Sequence, residues 1–323
     1  VYIIAEMGAN FDGSMDKAKR LIDAAKDAGA DCAKFQSFLT PKILSQKGFD
    51  SMTLKGVHGS WKKSVEEVFK AAELPRAWHE ELSDYCDAKG IHFASSPYDF
   101  EAVRLLKMLS VPFLKIGSGD ITWLEMLQYA ARKDLPIFLA TGASTLAEVD
   151  EALRIIETNG CHSIVLMQCV TNYPSRFESA NINVLKTYQT AFGILTGYSD
   201  HTPGDVVPLG AVSLGACVIE KHFTLSREDE GPDHPHSMIP QEFKEMVRRI
   251  RILEIALGTP RKKLEEEESE TVIVQRRGLY AARNIPKGEK FTADSVAALR
   301  PALGIAPRHS LVLGLSANCD IEE

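Results

Sequence analysis

Val1-Tyr-Ile-Ile-Ala-Glu6 opens the chain, residues 15–28 follow as an amphipathic segment, and Cys32-Ala-Lys-Phe-Gln36 comes next. The two outer pieces are apolar nearly throughout. That is the pattern of strands buried on both faces of a parallel sheet, not the alternation of a half-exposed strand. Between them, Ala18, Leu21, Ile22 and Ala25 share one helical face, with lysines and aspartates on the other. Strand, crossover helix and strand form a unit, and the unit recurs. Further apolar runs lie at residues 91–95, 112–116, 136–140, 163–169, 192–197 and 217–220, separated mostly by segments of helical period. Ser144 or Thr145 is the expected N-cap of a helix over residues 146–158, and Gly160 its stop. Eight strand–helix repeats over about 250 residues predict a (β/α)8 TIM barrel of the α/β class. A doubly wound open sheet is the competitor, but it usually has fewer strands.

The character of the chain changes after residue 257. Residues 258–271 carry Gly-Thr-Pro, a basic cluster and the run Glu265-Glu-Glu-Glu268, which reads as a solvated linker. Residues 272–323 show short apolar segments around turns such as Ile285-Pro-Lys-Gly-Glu289, as in a compact, loop-rich second domain near the lower size limit for independent folding. Residues 1–257 are then the barrel. A net charge of −7 argues against a nucleic-acid partner, so a site for anions must gather its positive charge locally. No stretch is long and apolar enough to span a bilayer. The six cysteines, Cys32, Cys86, Cys161, Cys169, Cys217 and Cys319, lack paired spacing and read as reduced residues of a cytoplasmic protein. The chain opens at Val1, already in a strand-like run, so a few preceding residues are expected to be trimmed.

Barrels place their chemistry at the C-terminal ends of their strands. Here those ends carry Glu6; Lys34 and Gln36; Ser95 and Ser96; Lys115 and Ser118; Thr141; Thr171, Asn172 and Tyr173; Ser199, Asp200 and His201; Glu220 and His222. Burying unpaired charge costs several kcal/mol, roughly, so packing alone gives no reason for this set. Lys34 and Lys115 either pair with carboxylates such as Glu6 or Asp120, or cradle an anion together with Ser118, Ser199 and the N–H groups around Gly117 and Gly119. Schiff-base formation on either lysine is a third reading. His201 and His222 end neighbouring strands about 4.8 Å apart, a separation suited to one shared divalent ion. In the loop Gly231-Pro-Asp-His-Pro-His236, His234 and His236 are extra ligands or polar rim, and Asp233 meets sugar hydroxyls or a metal-bound water.

The stretches Ala5-Glu-Met-Gly-Ala-Asn10, Ala30-Asp-Cys-Ala-Lys-Phe-Gln36, Lys115-Ile-Gly-Ser-Gly119, Tyr198-Ser-Asp-His-Thr202, Glu220-Lys-His-Phe-Thr224 and Gly231-Pro-Asp233 resemble the barrel motifs of the sialic acid synthase family. Ala282-Arg-Asn-Ile-Pro-Lys-Gly-Glu289 and Leu299-Arg-Pro301 resemble the antifreeze-like (β-clip) domain those enzymes carry. The family includes N-acetylneuraminate, legionaminate and pseudaminate synthases. The resemblance implies condensation of phosphoenolpyruvate with an N-acylated mannosamine-type sugar, giving a nonulosonic acid and phosphate by C–O cleavage. It implies Mn2+, or Mg2+ or Co2+, on His201 and His222. Lys34, Lys115, Ser118 and Ser199 would hold phosphoenolpyruvate, with Gln36, Thr141 and Tyr173 nearby. Glu6 would orient or deprotonate the attacking water, Asp120 would serve as an acid–base group, and Asp233 would bind sugar hydroxyls. Arg300 would reach the sugar of the partner subunit in a domain-swapped homodimer. Departures from the family pattern are Phe11 where histidine is common, Ala140 for serine, Asp120 for glutamate and a shifted Thr171-Asn172. The second domain is expected to lack its last strand. Outside this reading stand a Schiff-base aldolase using Lys115 or Lys34, and a glycan- or ice-binding module in residues 272–323.

Overall fold

Ile3 and Ala5 fall in one apolar cluster with Leu21, Ile22, Phe243 and Met246, whereas Ile4, between them, falls in another with Cys32, Ala94, Phe113, Val165, Met167 and Val218. Successive side chains of a strand point to opposite faces. The first cluster is therefore the layer between strands and helices, and the second is the inside of a closed ring. The computed structural model describes residues 1–52, 61 and 63–323. Its first eight strands are β1 (Tyr2–Glu6), β2 (Cys32–Ser37), β3 (His92–Pro97), β4 (Leu114–Ile116), β5 (Ile137–Ala140), β6 (Ile164–Cys169), β7 (Leu195–Asp200) and β8 (Val218–His222). They form one sheet in the order β3-β2-β1-β8-β7-β6-β5-β4, with every pair parallel. Strands β3 and β4 lie side by side at the remaining seam and close the ring. This is the (β/α)8 barrel expected from the sequence.

The helices form where the periodicity places them. Met15–Asp27 starts at Ser14, whose hydroxyl accepts from Lys17 N–H, and buries Ala18, Leu21, Ile22 and Ala25. Leu146–Thr158 starts at Thr145 in a reciprocal capping box with Glu148, and Gly160 follows it with φ +98°. One run differs. Residue 192 ends the helix Val184–Phe192, and Gly193, at φ +63°, breaks the chain direction before β7 begins at Leu195. Phe192 belongs to the helix because its side chain packs on the sheet from outside, beside Tyr188. Phe11 likewise faces the helix layer, with its ring on edge to Phe35 and Trp78. Its departure from the family pattern therefore fills core rather than cavity. All six cysteines are free; Cys319 is exposed, while Cys32, Cys86, Cys161 and Cys169 are buried.

The chain divides into Val1–Gly258 and Thr259–Glu323. In the second unit, β9 (Gly278–Ala281) pairs antiparallel with β10 (Val296–Leu299), and isolated bridges join Ile285 to Ile321 and Lys290 to Ser316. Its small interior includes Ile285, Val296, Val312 and Ala317. Gly278 is required there, because a Cβ would stand 2.6 Å from the Leu303 carbonyl oxygen. The helix Ser269–Gln275 runs across the boundary expected at 271/272. Among the described residues, no helix is long and apolar enough to cross a membrane.

Candidate active site

Glu6 is the register partner of both Lys34 on β2 and His222 on β8. Paired residues of parallel strands share a face, and Ile4 already faces inward, so all three side chains enter the mouth of the barrel. The same parity sets Ser199 beside Glu220 and Cys169 beside Ser199. Together with Lys115, Ser118 and the turn at Gly117 and Gly119, these residues line a cavity of about 130 Å³. A second cavity of about 270 Å³ is lined by Phe38, Ile43, Val68, Phe69, Asp233 and His236, among others. Gln36, Tyr98, Tyr173 and His222 line both. The inner chamber is polar, and the outer one carries an apolar wall.

The lysines are paired. Lys34 makes an ion pair with Glu6, donates to Ser96 Oγ at 3.1 Å, and lies 3.6 Å from Glu220. Lys115 Nζ is 3.1 Å from Glu220 Oε1, which also accepts from Ser199 Oγ at 2.9 Å. Gln36 Nε2 donates to the other side of the network, Glu6 Oε1, at 2.8 Å. Two ammonium groups thus share two carboxylates, one of which is Glu6 as expected; the other is Glu220, not Asp120. Burial pushes the Glu220 carboxyl up, but Lys115 and Lys34 outweigh it and hold the group well below the usual range. Burial also pushes up Glu6, Lys34 only partly opposes it, and the neighbouring Glu220 adds to the rise, which brings Glu6 to about 7. A carboxyl poised there can hold or accept a proton near neutral pH. An entering anion would meet two lysines already aligned by their carboxylates.

The histidines sit between the two chambers. The His201 and His222 ring centroids are 5.4 Å apart, and the Tyr173 ring lies 4.1 Å from His201. His201 Nδ1 bonds the Val170 carbonyl at 2.7 Å, which fixes the proton there and leaves Nε2 as a lone-pair donor. Burial pushes both imidazoles down, His201 to about 4, so they are neutral, the form that binds a cation. His222 Nδ1 is buried with no hydrogen-bond partner among the described residues. Neutral, partly unsatisfied imidazoles aimed at one space fit a divalent ion.

The NeuB family model matches residues 21–262. The chain belongs to the NeuB family. A SAF domain model matches residues 276–323, the second unit. The N,N'-diacetyllegionaminic acid synthase of Campylobacter jejuni is 39% identical over 99% of this chain and 97% of its own length. The pseudaminic acid synthase of Helicobacter pylori is 34% identical over 98% and 93%. Among solved structures, the N-acetylneuraminic acid synthetase of Leptospira borgpetersenii, crystallised with citrate, is 31% identical with a TM-score of 0.75, covering 84% of this chain and 90% of that one.

Within this NeuB-family barrel, several residues expected at the site face elsewhere. Thr141 turns its hydroxyl away from the inner chamber, donating to the Met167 carbonyl at 3.1 Å and accepting from Tyr188 at 3.0 Å. Asp200, by strand parity, points outward and is held by Lys221 at 2.5 Å and by Thr202. Asp120 is half-buried beyond the lining of either chamber, and burial raises its carboxyl to about 6. His234 is turned back to Asp12 Oδ1 at 2.9 Å and Thr224 Oγ1 at 2.6 Å. Arg300, expected at the site of a partner subunit rather than of its own chain, is exposed. Conversely, Glu220 joins both lysines, and Tyr98 lines both chambers. Alternation along β8 puts Glu220 on the face of His222, and Tyr98 follows Ser96 by two residues just beyond β3.

The raised Glu6 carboxyl sets a pH dependence in the metal-free protein. Folded NeuB-family chain holds a proton there that the unfolded chain, with an ordinary carboxyl at 4.5, releases. Stability is therefore fully expressed below pH 4.5 as far as Glu6 is concerned, and declines as pH rises through about 7. Urea midpoints measured across that interval should fall less steeply in Glu6→Gln than in the wild type.

Proposed function

We propose that this chain condenses phosphoenolpyruvate with an N-acylated amino sugar of the mannosamine type, releasing phosphate and a nonulosonic acid. The observation that carries the reading is the convergence of Lys34, Lys115, Ser118 and Ser199 with His201 and His222 on one pair of adjoining chambers. The inner chamber suits the phosphate and carboxylate of a small dianion. The outer one, with Asp233 and an apolar wall, suits an acylated sugar. His201 and His222 would hold a divalent ion such as Mn2+, which would supply Lewis-acid polarisation of a carbonyl.

The protein's part is positioning and proton control. Lys34 and Lys115 orient phosphoenolpyruvate so that its C3 faces the aldehyde carbon of the open-chain sugar, where the new C–C bond forms. Glu6, with Gln36 fixing one of its oxygens, directs water to C2 and accepts its proton. The former aldehyde oxygen takes up a proton as a hydroxyl, and phosphate then leaves with its bridging oxygen and the C2–O electron pair while the C2 hydroxyl loses its proton and becomes the keto group. Arg300 of the partner subunit would complete the sugar site in a homodimer.

A Schiff base formed on Lys34 is disfavoured. Burial lowers the Lys34 ammonium, yet Glu220 and Glu6 together hold it above its ordinary value, so it is a poor nucleophile. The reading is tested by incubating the protein with phosphoenolpyruvate, Mn2+ and a panel of 2-acylamino and 2,4-diacylamino hexoses. Phosphate release that depends on one of the sugars is expected; release from none of them would refute it.

A further inference from the structure

We infer that His236 is a third imidazole ligand of the same cation, forming with His222 and Asp233 a set adjoining His201. The inference rests on the metal-dependent reading above. One ligand atom each of His222, Asp233 and His236 lie within 4.8 Å of one another. His222 Nδ1 is 3.7 Å from Asp233 Oδ2, and His236 Nε2 is 3.9 Å from Asp233 Oδ1. Two atoms bound to one ion at about 2.1 Å can stand no more than about 4.2 Å apart, so both separations are those of ligands already gathered. They are too long for hydrogen bonds.

A second observation points to a ligand. His222 Nδ1 and His236 Nε2 are both buried without a hydrogen-bond partner among the described residues. Buried polar atoms are nearly always satisfied, and an orphaned pair facing one carboxylate is what a cation would satisfy. The loop is built to hold His236 there. The short turn His234–His236 contains Pro235, and its first residue is fastened by Asp12 and Thr224. Immediately after it, Ser237 Oγ donates to the Asp233 carbonyl at 2.6 Å and accepts from Asn10 Nδ2 at 2.9 Å. With both flanks fixed, His236 turns inward, its side chain 5% exposed and its ring 4.9 Å from that of His222. Three imidazoles and a carboxylate leave fewer open positions than two imidazoles, and they favour nitrogen-seeking ions such as Co2+ over Mg2+.

The full-length, metal-free protein is titrated with Co2+, following visible d–d absorption and heat, for the wild type, His236→Ala, His236→Gln and His222→Ala. Both His236 variants should bind Co2+ at least about tenfold more weakly and with an altered spectrum. Mg2+ affinity should change less. In the Co2+-loaded wild type, three exchangeable, paramagnetically shifted imidazole N–H signals are expected in the proton NMR spectrum, a readout that does not need the variants to fold. If the His236 variants keep wild-type affinity and spectrum, with two shifted signals, while His222→Ala loses the ion, His236 is no ligand although the metal site stands. If the wild type takes up no Co2+, the inference and the metal-dependent reading fall together.

Discussion

Lys34→Met should lower kcat/KM for phosphoenolpyruvate by about 30- to 4,000-fold. The lysine is 2% exposed and engages Glu6, Glu220 and Ser96 at once. Truncating one member of a buried, hydrogen-bonded charge network costs about 2–5 kcal/mol, and each 1.4 kcal/mol, roughly, is a factor of ten. The fold should also weaken, because two carboxylates lose a partner, though by less than about 3–5 kcal/mol. Glu6, already raised toward neutrality, can take up a proton, and Glu220 keeps Lys115. This separates the two roles. The double variant Lys34→Met with Glu6→Gln should regain much of the lost stability in urea unfolding without regaining affinity for the anion. Recovery of phosphoenolpyruvate binding by the double variant would show that Lys34 matters only as a structural counter-charge.

His222→Ala should lower activity by about 10³-fold or more, since a cation held by His201 and His222 would supply Lewis-acid polarisation of a carbonyl worth several kcal/mol, roughly. The same variant should be no less stable than the wild type when metal is absent. Its Nδ1 is buried without a hydrogen-bond partner among the described residues, and such an atom burdens the fold by about 1–3 kcal/mol, which its removal relieves against the lost packing. The informative contrast is therefore in Tm. Added Mn2+ should raise the wild-type Tm through binding to the folded state and leave that of His222→Ala unchanged. A wild-type Tm indifferent to Mn2+, Co2+ and Mg2+ would speak against a cation at these histidines.

The barrel was legible because burial on both faces makes parallel strands continuously apolar, and because each strand is followed by a segment of helical period. The misplacement at Phe192 has the same origin, since an aromatic at a helix terminus is as apolar as one in a strand, and only Gly193 marks the break. At the site, strand ends were visible as polar interruptions, but the face of each residue was not, because a terminal residue has no following neighbour to fix parity. Thr141 reads as a cavity residue for that reason, whereas in the structure its hydroxyl bonds the Met167 carbonyl and Tyr188. Glu220 was visible at the end of β8, yet its position between two lysines depends on pairing across strands more than a hundred residues apart in sequence. The loop that turns His236 toward His222 and His234 toward Asp12 contains two histidines separated by one proline, and nothing in the composition of that stretch distinguishes them. What distinguishes them is tertiary, namely Asp12 and Thr224 waiting for one and Asp233 beside the other.

The most direct measurement is the fate of the bridging oxygen. Phosphoenolpyruvate labelled with ¹⁸O between C2 and phosphorus is incubated with the protein, Mn2+ and an accepted acylamino sugar, and the products are weighed by mass spectrometry. The expected result is inorganic phosphate carrying the label and a nonulosonic acid free of it, formed only when sugar and metal are both present. Label retained in the sugar acid would mean P–O cleavage and would contradict water attack at C2 beside Glu6 in the chamber built by Lys34 and Lys115.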